Sequence, residues 1–535
     1  MSSRVDRTGL GALVGLLAAG VAIGVGELVA ALVRPAASPV IAVGNRLILL
    51  TPESLKRWAI RQFGTGDKSA LLTGIYLGIA VLAVLVGVLA LRRLVYGLVG
   101  VAVLGALGCY SALTAHAHHG SDAVPSVLGA LAGMAALALL VRAVTGTDFE
   151  PRAAGALLAD RRRFLQVGLA AGGLAVFGGF GGRALQHNRF NANAARAAIT
   201  LPAPVSEAGP APSATASAGT AGVGTGTAGV GPGNTFDLGK SGVAFLTPAK
   251  DFYRIDTALS VPQLDPKTWQ LRIHGKLAHE ITLTYAQLLA RPLVERWITL
   301  TCVSNEVGGN LISNARFRGV LLADLLREAG LDPDADQLLA TSSDGMTIGS
   351  PTAVVMDGRD AMLAVGMNGE PLPVEHGFPV RMVVPGLYGY VSACKWITEL
   401  EATTFDSYQA YWIQGGWAAQ GPIRLASRID RPSASQSLSV GSQVAIAGVA
   451  WDQHVGISKV EVQVDNGGWS QATLAPVPSV DTWRQWVYLW TPQSPGAHRL
   501  RVRAYDATGR PQDAATAEPY PSGATGYHTI TVRAR

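Results

Sequence analysis

Four apolar runs fill the first 145 residues: Gly9–Val33, Ser69–Leu91, Leu94–Leu113 and Ala123–Val141. Each is long enough to cross a hydrocarbon core, which needs about 20 helical residues. Only one charge, Glu27, lies inside them. The N-terminal part of the chain therefore reads as an α-helical transmembrane bundle, 1–145. A lone Glu27 in such a bundle is either a proton or ligand site or a carboxyl hydrogen-bonded between helices, and the second is the expectation. Pro39–Leu50 is apolar but too short to span, so it reads as a re-entrant or interfacial segment.

Loop charges orient the bundle. Arg4 and Arg7, Arg92 and Arg93, and Arg142 and Arg152 all fall on one side, which the positive-inside rule makes the cytoplasm. The first outer loop disagrees, carrying Arg46, Lys56, Arg57, Arg61 and Lys68. His116, His118 and His119 cluster in the second outer loop; no pair of histidines sits on facing spans, so they read as a solvated loop rather than a haem or metal site.

Residues 146–190 hold Asp160-Arg161-Arg162-Arg163-Phe164-Leu165-Gln166 and a Gly-rich apolar stretch to Gly182. The paired arginines before Phe-Leu resemble a twin-arginine export signal, and the same stretch makes a fifth span. A helix entering at Phe164 from inside delivers everything after Gly182 to the outer face. Residues 191–235 are almost wholly Ala, Gly, Pro, Ser and Thr, the composition of a flexible linker.

Two soluble units follow. Residues 236–425 alternate strand-like runs (Trp269–Ile273, Trp297–Thr301, Val380–Val384) with a helical one (Leu321–Ala329), predicting an α+β domain. Residues 426–535 read as an all-β, immunoglobulin-like sandwich. Lys459–Val464 alternates strictly before an Asp465-Asn466-Gly467 turn, and Arg499–Ala504 alternates again. A net charge of +6 over 535 residues excludes a dedicated nucleic-acid binder.

Three cysteines occur, Cys109 in a span and Cys302 and Cys394 beyond the linker, too few for a disulfide framework. Cys302 closes the strand Trp297–Thr301 and opens the loop Val303–Asn310. A thiol there is either a ligand or nucleophile or an inert buried residue. Asn368–Arg381, followed by Val384–Gly389 and Lys395-Trp396, is dense in Gly and Pro and adds three donors, His376, Arg381 and Lys395. It reads either as an anionic cofactor site or as a turn-rich connection.

The run NGEPLPVEHGFPVRMVVPG with the later Lys395-Trp396 resembles the molybdopterin-binding segment of the sulfite oxidase family. Cys302 with Asn305 resembles its molybdenum-ligand loop, and Asn314–Val320 the stretch just downstream. Phe252–Asp256 resembles its first cofactor-contacting strand end, and 426–535 the family's dimerisation domain. The resemblance implies a molybdenum–molybdopterin cofactor bound through Cys302. It also implies pterin or phosphate contacts from Tyr253, Arg254, Asp344, His376, Arg381, Ala393, Cys394 and Lys395. A Cys302–Cys394 disulfide would remove the ligand, so Cys394 is expected as a small buried residue near the pterin.

Two departures bear on substrate. Glu306 and Val307 stand where the family's arginines follow the cysteine loop, and Phe317 stands where Trp is common. The resemblance thus implies oxygen-atom transfer on a small S- or N-oxide or a sulfite-like molecule. Electrons would pass to or from a separate carrier, cytochrome or quinone-linked. It allows a homodimer through 426–535. The competing expectation is a non-catalytic cell-surface binding module that has lost its metal.

Overall fold

A computed structural model describes residues 2–52, 55, 58, 62, 67–115, 119–145, 154–189, 191–212, 241–434 and 436–535. It divides into two compact units, Met1–Asn191 with Asp256–Gln263, and Ala192–Ile255 with Leu264–Arg535.

The first unit is helical: α1 (Ser2–Val33), α2 (Pro39–Leu50), α3 (Asp67–Arg92), α4 (Leu94–Leu113), α5 (Val124–Thr145) and α6 (Ala154–Arg189). Five segments are long and apolar enough to cross a membrane: Thr8–Val33, Lys68–Arg92, Leu94–Leu113, Gly120–Thr145 and Leu165–Gly182. Each contains or nearly coincides with one of the runs read from the sequence. Small residues let the helices approach. A Cβ on Gly15 of α1 would lie 1.9 Å from the Ala83 carbonyl oxygen of α3, so that crossing admits only glycine.

Several polar groups within this unit are paired with one another. The Ser38 hydroxyl, at the N-terminus of α2, donates to the buried Glu27 carboxylate. Arg34 pairs with buried Asp122, its Nε 3.0 Å from Oδ1. Glu27 is thus hydrogen-bonded between elements, as expected. Lys68 pairs with the Asp256 carboxylate and donates to the Ala258 carbonyl at 2.8 Å. His116 and His118 lie outside the described residues. The backbone N–H of His119 donates to Asp122 at 2.8 Å.

The linker expectation fails at its start. Ala192–Ala197 is a short helix from which Arg196 Nε donates to the Pro371 and Leu372 carbonyls at 2.9 and 3.0 Å. Ile199 and Leu201 pack on the main core, and Val205 N and Ser206 O bond to Leu293 and Glu295 along a strand edge at 2.8 Å each. A polar-poor segment needs no core of its own when it can satisfy an existing sheet edge. The rest of the linker, 213–235, lies outside the described residues.

The second unit begins with ten strands: β1 (Gln270–Gly275), β2 (Ile281–Thr284), β3 (Val294–Thr301), β4 (Ile312–Leu321), β5 (Gln337–Ser342), β6 (Thr347–Pro351), β7 (Met362–Met367), β8 (Glu370–Pro371), β9 (Arg381–Val383) and β10 (Ile397–Thr403). They form two sheets, β2-β1-β10-β5-β6 and β3-β4-β7-β8, with β9 paired to β7. Only β1 and β10 run parallel among these pairs, which makes the domain α+β. Leu271, Ile273, Leu338, Leu363, Val380, Met382 and Leu400 form its core. The helix Leu322–Ala329 buries Leu322, Leu325, Leu326 and Ala329, at helical spacing, and stops at left-handed Gly330.

Nine further strands follow: β11 (Ala426–Arg431), β12 (Ser437–Leu438), β13 (Val444–Trp451), β14 (Ile457–Val464), β15 (Trp469–Gln471), β16 (Thr473–Leu474), β17 (Arg484–Trp490), β18 (Gly496–Asp506) and β19 (Thr529–Ala534). Sheets β11-β13-β17-β16 and β12-β19-β18-β14-β15 enclose Ile446, Val460, Val462, Trp486, Leu500 and Val502. The alternation of 459–464 puts Val460 and Val462 inside, as period 2 requires. A third apolar cluster joins Phe245, Trp297, Val303 and Tyr388 to Val449, Trp451 and Trp483. The two domains of this unit share that core.

Candidate active site

Strand β3 delivers Cys302. The strand is buried almost throughout, and Cys302 N donates to Leu311 O at 2.9 Å where the loop returns. Asn305 closes the loop from within. Its N–H donates to Cys302 O at 3.0 Å, and its side-chain oxygen accepts from Leu311 N at 2.8 Å. Cysteine three residues before asparagine is therefore a loop-closing device that leaves the thiol at the strand end. Burial pushes the Cys302 thiol up, while hydrogen bonds from the Ser304 N–H and hydroxyl and the charge of Lys395 pull the other way. Ser304 had no role in the sequence reading, although it lies inside the motif.

The second segment folds against this loop. Asn368 and Gly369, with φ of 55° and 89°, make the β7–β8 hairpin turn. A 3-10 turn, Val374–His376, ends at Gly377 with φ 111°; a Cβ there would crowd Arg381 and Lys395 at 3.0–3.2 Å. Chain reversal then lays β9 beside 392–394, with Met382 N donating to Cys394 O at 2.8 Å. Arg381, Ala393, Cys394 and Lys395 are brought together in this way.

Arg381 is buried, its guanidinium over the Phe317 ring at 5.8 Å. It makes only long bonds, to His376 O at 3.3 Å and Ala393 O at 3.4 Å, and its Nε has no partner among the described residues. Burial lowers its pKa to about 10, and the groups that favour its charge are Tyr253 and Cys394, with no carboxylate among them. His376 packs edge-on against Phe252 at 5.4 Å, with Nε2 3.0 Å from Ala249 O. Burial lowers it to about 4, aided by Arg381, Lys395 and Arg254. Arg254 thus lies within electrostatic reach of His376.

Tyr253 joins the two halves. Its phenol is pushed up by burial, then by Cys302, and pulled down by Arg381, so it lies within reach of both. Lys395 donates to Ile255 O at 3.1 Å and sits 4.8 Å above the Trp396 ring. Asp344 is the outlying member. It accepts from Met346 N at 3.3 Å and acts on Cys394, whose thiol is raised chiefly by burial. Tyr388, unassigned in the sequence reading, is buried near enough to feel Cys302 and accepts from Arg424 N at 3.2 Å.

Two expectations need correction or closure, and the neighbouring arginines need placing. Phe252–Asp256 is no strand end: it is a loop after the 3-10 turn Ala249–Asp251, held by Tyr253 N donating to the Ser313 hydroxyl at 3.1 Å and by Phe252 against Phe317. Side-chain anchoring has replaced ladder pairing. Cys109, Cys302 and Cys394 are all free thiols. Arg316 and Arg318 do not face Arg381; both pair with buried Glu295, at 3.3 and 2.9 Å, on the face of β4 opposite Phe317.

A buried guanidinium with an unpartnered Nε, no carboxylate, and a histidine and two more cations around it fits an anionic group such as a pterin phosphate. A buried thiol across Tyr253 from it fits a soft-metal ligand. The residues present therefore fit a molybdenum cofactor.

Residues 258–412 match the oxidoreductase molybdopterin binding domain, and 426–532 match a bacterial Ig domain. The chain is 30% identical over 162 residues to the uncharacterized oxidoreductase YuiH of Bacillus subtilis (strain 168), covering 30% of this chain and 78% of that protein. This chain belongs to the sulfite oxidase family. It is also 31% identical over 273 residues to mitochondrial sulfite oxidase of Mus musculus, covering 43% of this chain and 49% of that one. The chain thus spans about half the length of the sulfite oxidases it matches. The structure of the sulfane dehydrogenase SoxCD from Paracoccus pantotrophus aligns at 24% identity and a TM-score of 0.47, over 54% of this chain and 82% of that one. The family's cofactor is molybdenum–molybdopterin, and this chain is a member by its molybdopterin domain.

One pH effect follows from His376. Its folded pKa lies below the ordinary value of 6.5, so the unfolded chain binds more protons between pH 6.5 and about 4. Cofactor-free protein should accordingly keep the full contribution above pH 6.5 and lose it as pH falls towards 4. His376→Gln should flatten that decline in a melting-temperature profile. Equal slopes in both proteins would refute this.

Proposed function

We propose that this chain is a membrane-anchored oxidoreductase carrying out oxygen-atom transfer on a small neutral S- or N-oxide at the outer face. Electrons are exchanged with a separate cytochrome or quinone-linked carrier. The carrying observation is the buried Cys302 thiol within reach of a site that gathers the cations Arg381 and Lys395 around neutral His376. When bound, the molybdenum cofactor supplies two-electron oxygen-atom transfer. Cys302 would hold the metal, with Ser304 donating to its sulfur. Tyr253, Arg254, His376, Arg381, Ala393, Cys394 and Lys395 would hold the pterin and its phosphate, with Asp344 at the margin. Neutral His376 donates from Nε2 to Ala249 O and keeps the ring fixed rather than charged.

Substrate charge is argued from the arginines. Sulfite recognition draws on converging cations. Glu306 is exposed, Val307 is apolar, and Arg316 and Arg318 are engaged by Glu295. A neutral oxide loses least by that arrangement. Glu306→Arg with Val307→Arg should lower the KM for sulfite by about tenfold, the scale of one charge-assisted hydrogen bond. A low-micromolar wild-type KM for sulfite, insensitive to salt, would refute the neutral-oxide reading. Screening S- and N-oxides and sulfite with artificial electron donors and acceptors tests the direction.

Orientation rests on the loop charges and on five apolar segments entering from inside. Arg161→Lys with Arg162→Lys should leave the first four spans inserted and strand the catalytic domain inside. Intact spheroplasts treated with protease report it: release of the catalytic domain from the double variant at the wild-type level would overturn the export reading.

A further inference from the structure

The strand that ends in Cys302 is an edge strand. β3 pairs with β4 on one side only. Its outward groups are taken up in two places. At its beginning, Glu295 N donates to Ser206 O at 2.8 Å. At its end the partners come from the Ig-like domain: Thr299 N donates to Asp481 O at 3.0 Å, and Trp483 N donates to the Thr299 hydroxyl at 2.8 Å. Gln453 completes the set, its Nε2 donating to Thr299 O and to the Thr301 hydroxyl at 3.1 Å each. Thr301 is the residue before Cys302.

The loop after Cys302 is held from the same domain. Arg428 Nη1 donates to Gly309 O at 2.8 Å. Gly308, at φ 78°, lies so close to the His528 ring that a Cβ would stand 2.3 Å from it. The ring's Nδ1 in turn accepts from Ile429 N at 2.9 Å. Cys302 is therefore gripped on both sides by a domain whose own core lies elsewhere.

We propose that the Ig-like domain sets the position of the Cys302 sulfur, with Gln453 as the positioning residue. Among the described residues, its amide is the one side-chain bridge from that domain to both Thr299 and Thr301, and it is almost wholly buried, at 3% exposure. Without it, a strand-edge carbonyl and a hydroxyl next to the ligand lose their donor, and the strand end gains freedom. The inference rests on Cys302 being the molybdenum ligand.

The test uses the cofactor-loaded full chain and Gln453→Met, which keeps the volume and removes the donor. Gln485→Met is the matched control. Gln485 is as buried, in the same domain, but its amide donates to Val243 O and not to β3. Three readouts are taken: the thiolate-to-metal absorption band, amide exchange over 299–305, and kcat against KM. Gln453→Met should shift the band, speed exchange by about tenfold or more, and lower kcat by about tenfold to a hundredfold with KM little changed. Gln485→Met should leave band and kcat at wild-type values. Should Gln453→Met not fold, Gln453→Asn, one methylene too short to reach, is read identically. An unshifted band in the Gln453 variant, or an equal shift in Gln485→Met, overturns the positioning role. A band that survives Cys302→Ser overturns instead the ligand assignment beneath it.

Discussion

Cys302→Ser should retain the pterin yet lose on the order of a thousandfold in turnover, a barrier increase of about 4 kcal/mol. The retained pterin follows from the geometry: Arg381, His376 and Lys395 come from 376–395, not from the cysteine loop. The lost turnover follows from ligand chemistry, since a hard alcohol poorly replaces a thiolate on a soft-preferring site. The loop itself should be unchanged, because Asn305 and Leu311 close it without the sulfur. Pterin and molybdenum content, measured beside steady-state rates with artificial carriers, check both halves. Wild-type turnover in the variant would remove Cys302 from the metal.

Arg381→Met separates binding from folding with effects of opposite sign. Arg381 is 5% exposed, its Nε is unpartnered among the described residues, and no carboxylate offsets its charge. Replacing such a cation with an apolar side chain of similar length should leave the cofactor-free fold as stable or more stable, by about 1 kcal/mol or more. The same change removes the one cation buried between His376 and Ala393, so bound cofactor should fall by more than about tenfold. Denaturation of the cofactor-free protein and pterin content of the purified protein check the two arms. A variant that is both destabilised and fully loaded would show that Arg381 serves the core and not an anion.

The membrane helices and the C-terminal hairpins were legible because their signals are local. Apolar runs such as Leu94–Leu113 and the strict alternation of Lys459–Val464 carry their environment in their own composition. The cysteine loop and the 368–396 segment were legible through resemblance, and the fold shows why their residues belong together: β9 and the 392–394 strip lie side by side. The ordering of 191–212 was not legible. Nothing in Ala, Pro and Ser announces that a strand edge some ninety residues away is unfilled, as the bond from Val205 to Leu293 shows.

The sequence by itself determined which segments are apolar enough for a membrane, which runs alternate as strands do, and which residue types could hold an anionic metal cofactor. Tertiary structure alone decided which way those residues face. Arg316 and Arg318 lie one residue either side of Phe317, yet the pleat sends them to Glu295 and sends Phe317 to Arg381. Gln453 and Trp483 meet Thr299 across separations of 154 and 184 residues. Periodicity reports burial along one element, but the partner of a sheet edge is chosen by topology, and no local pattern records it.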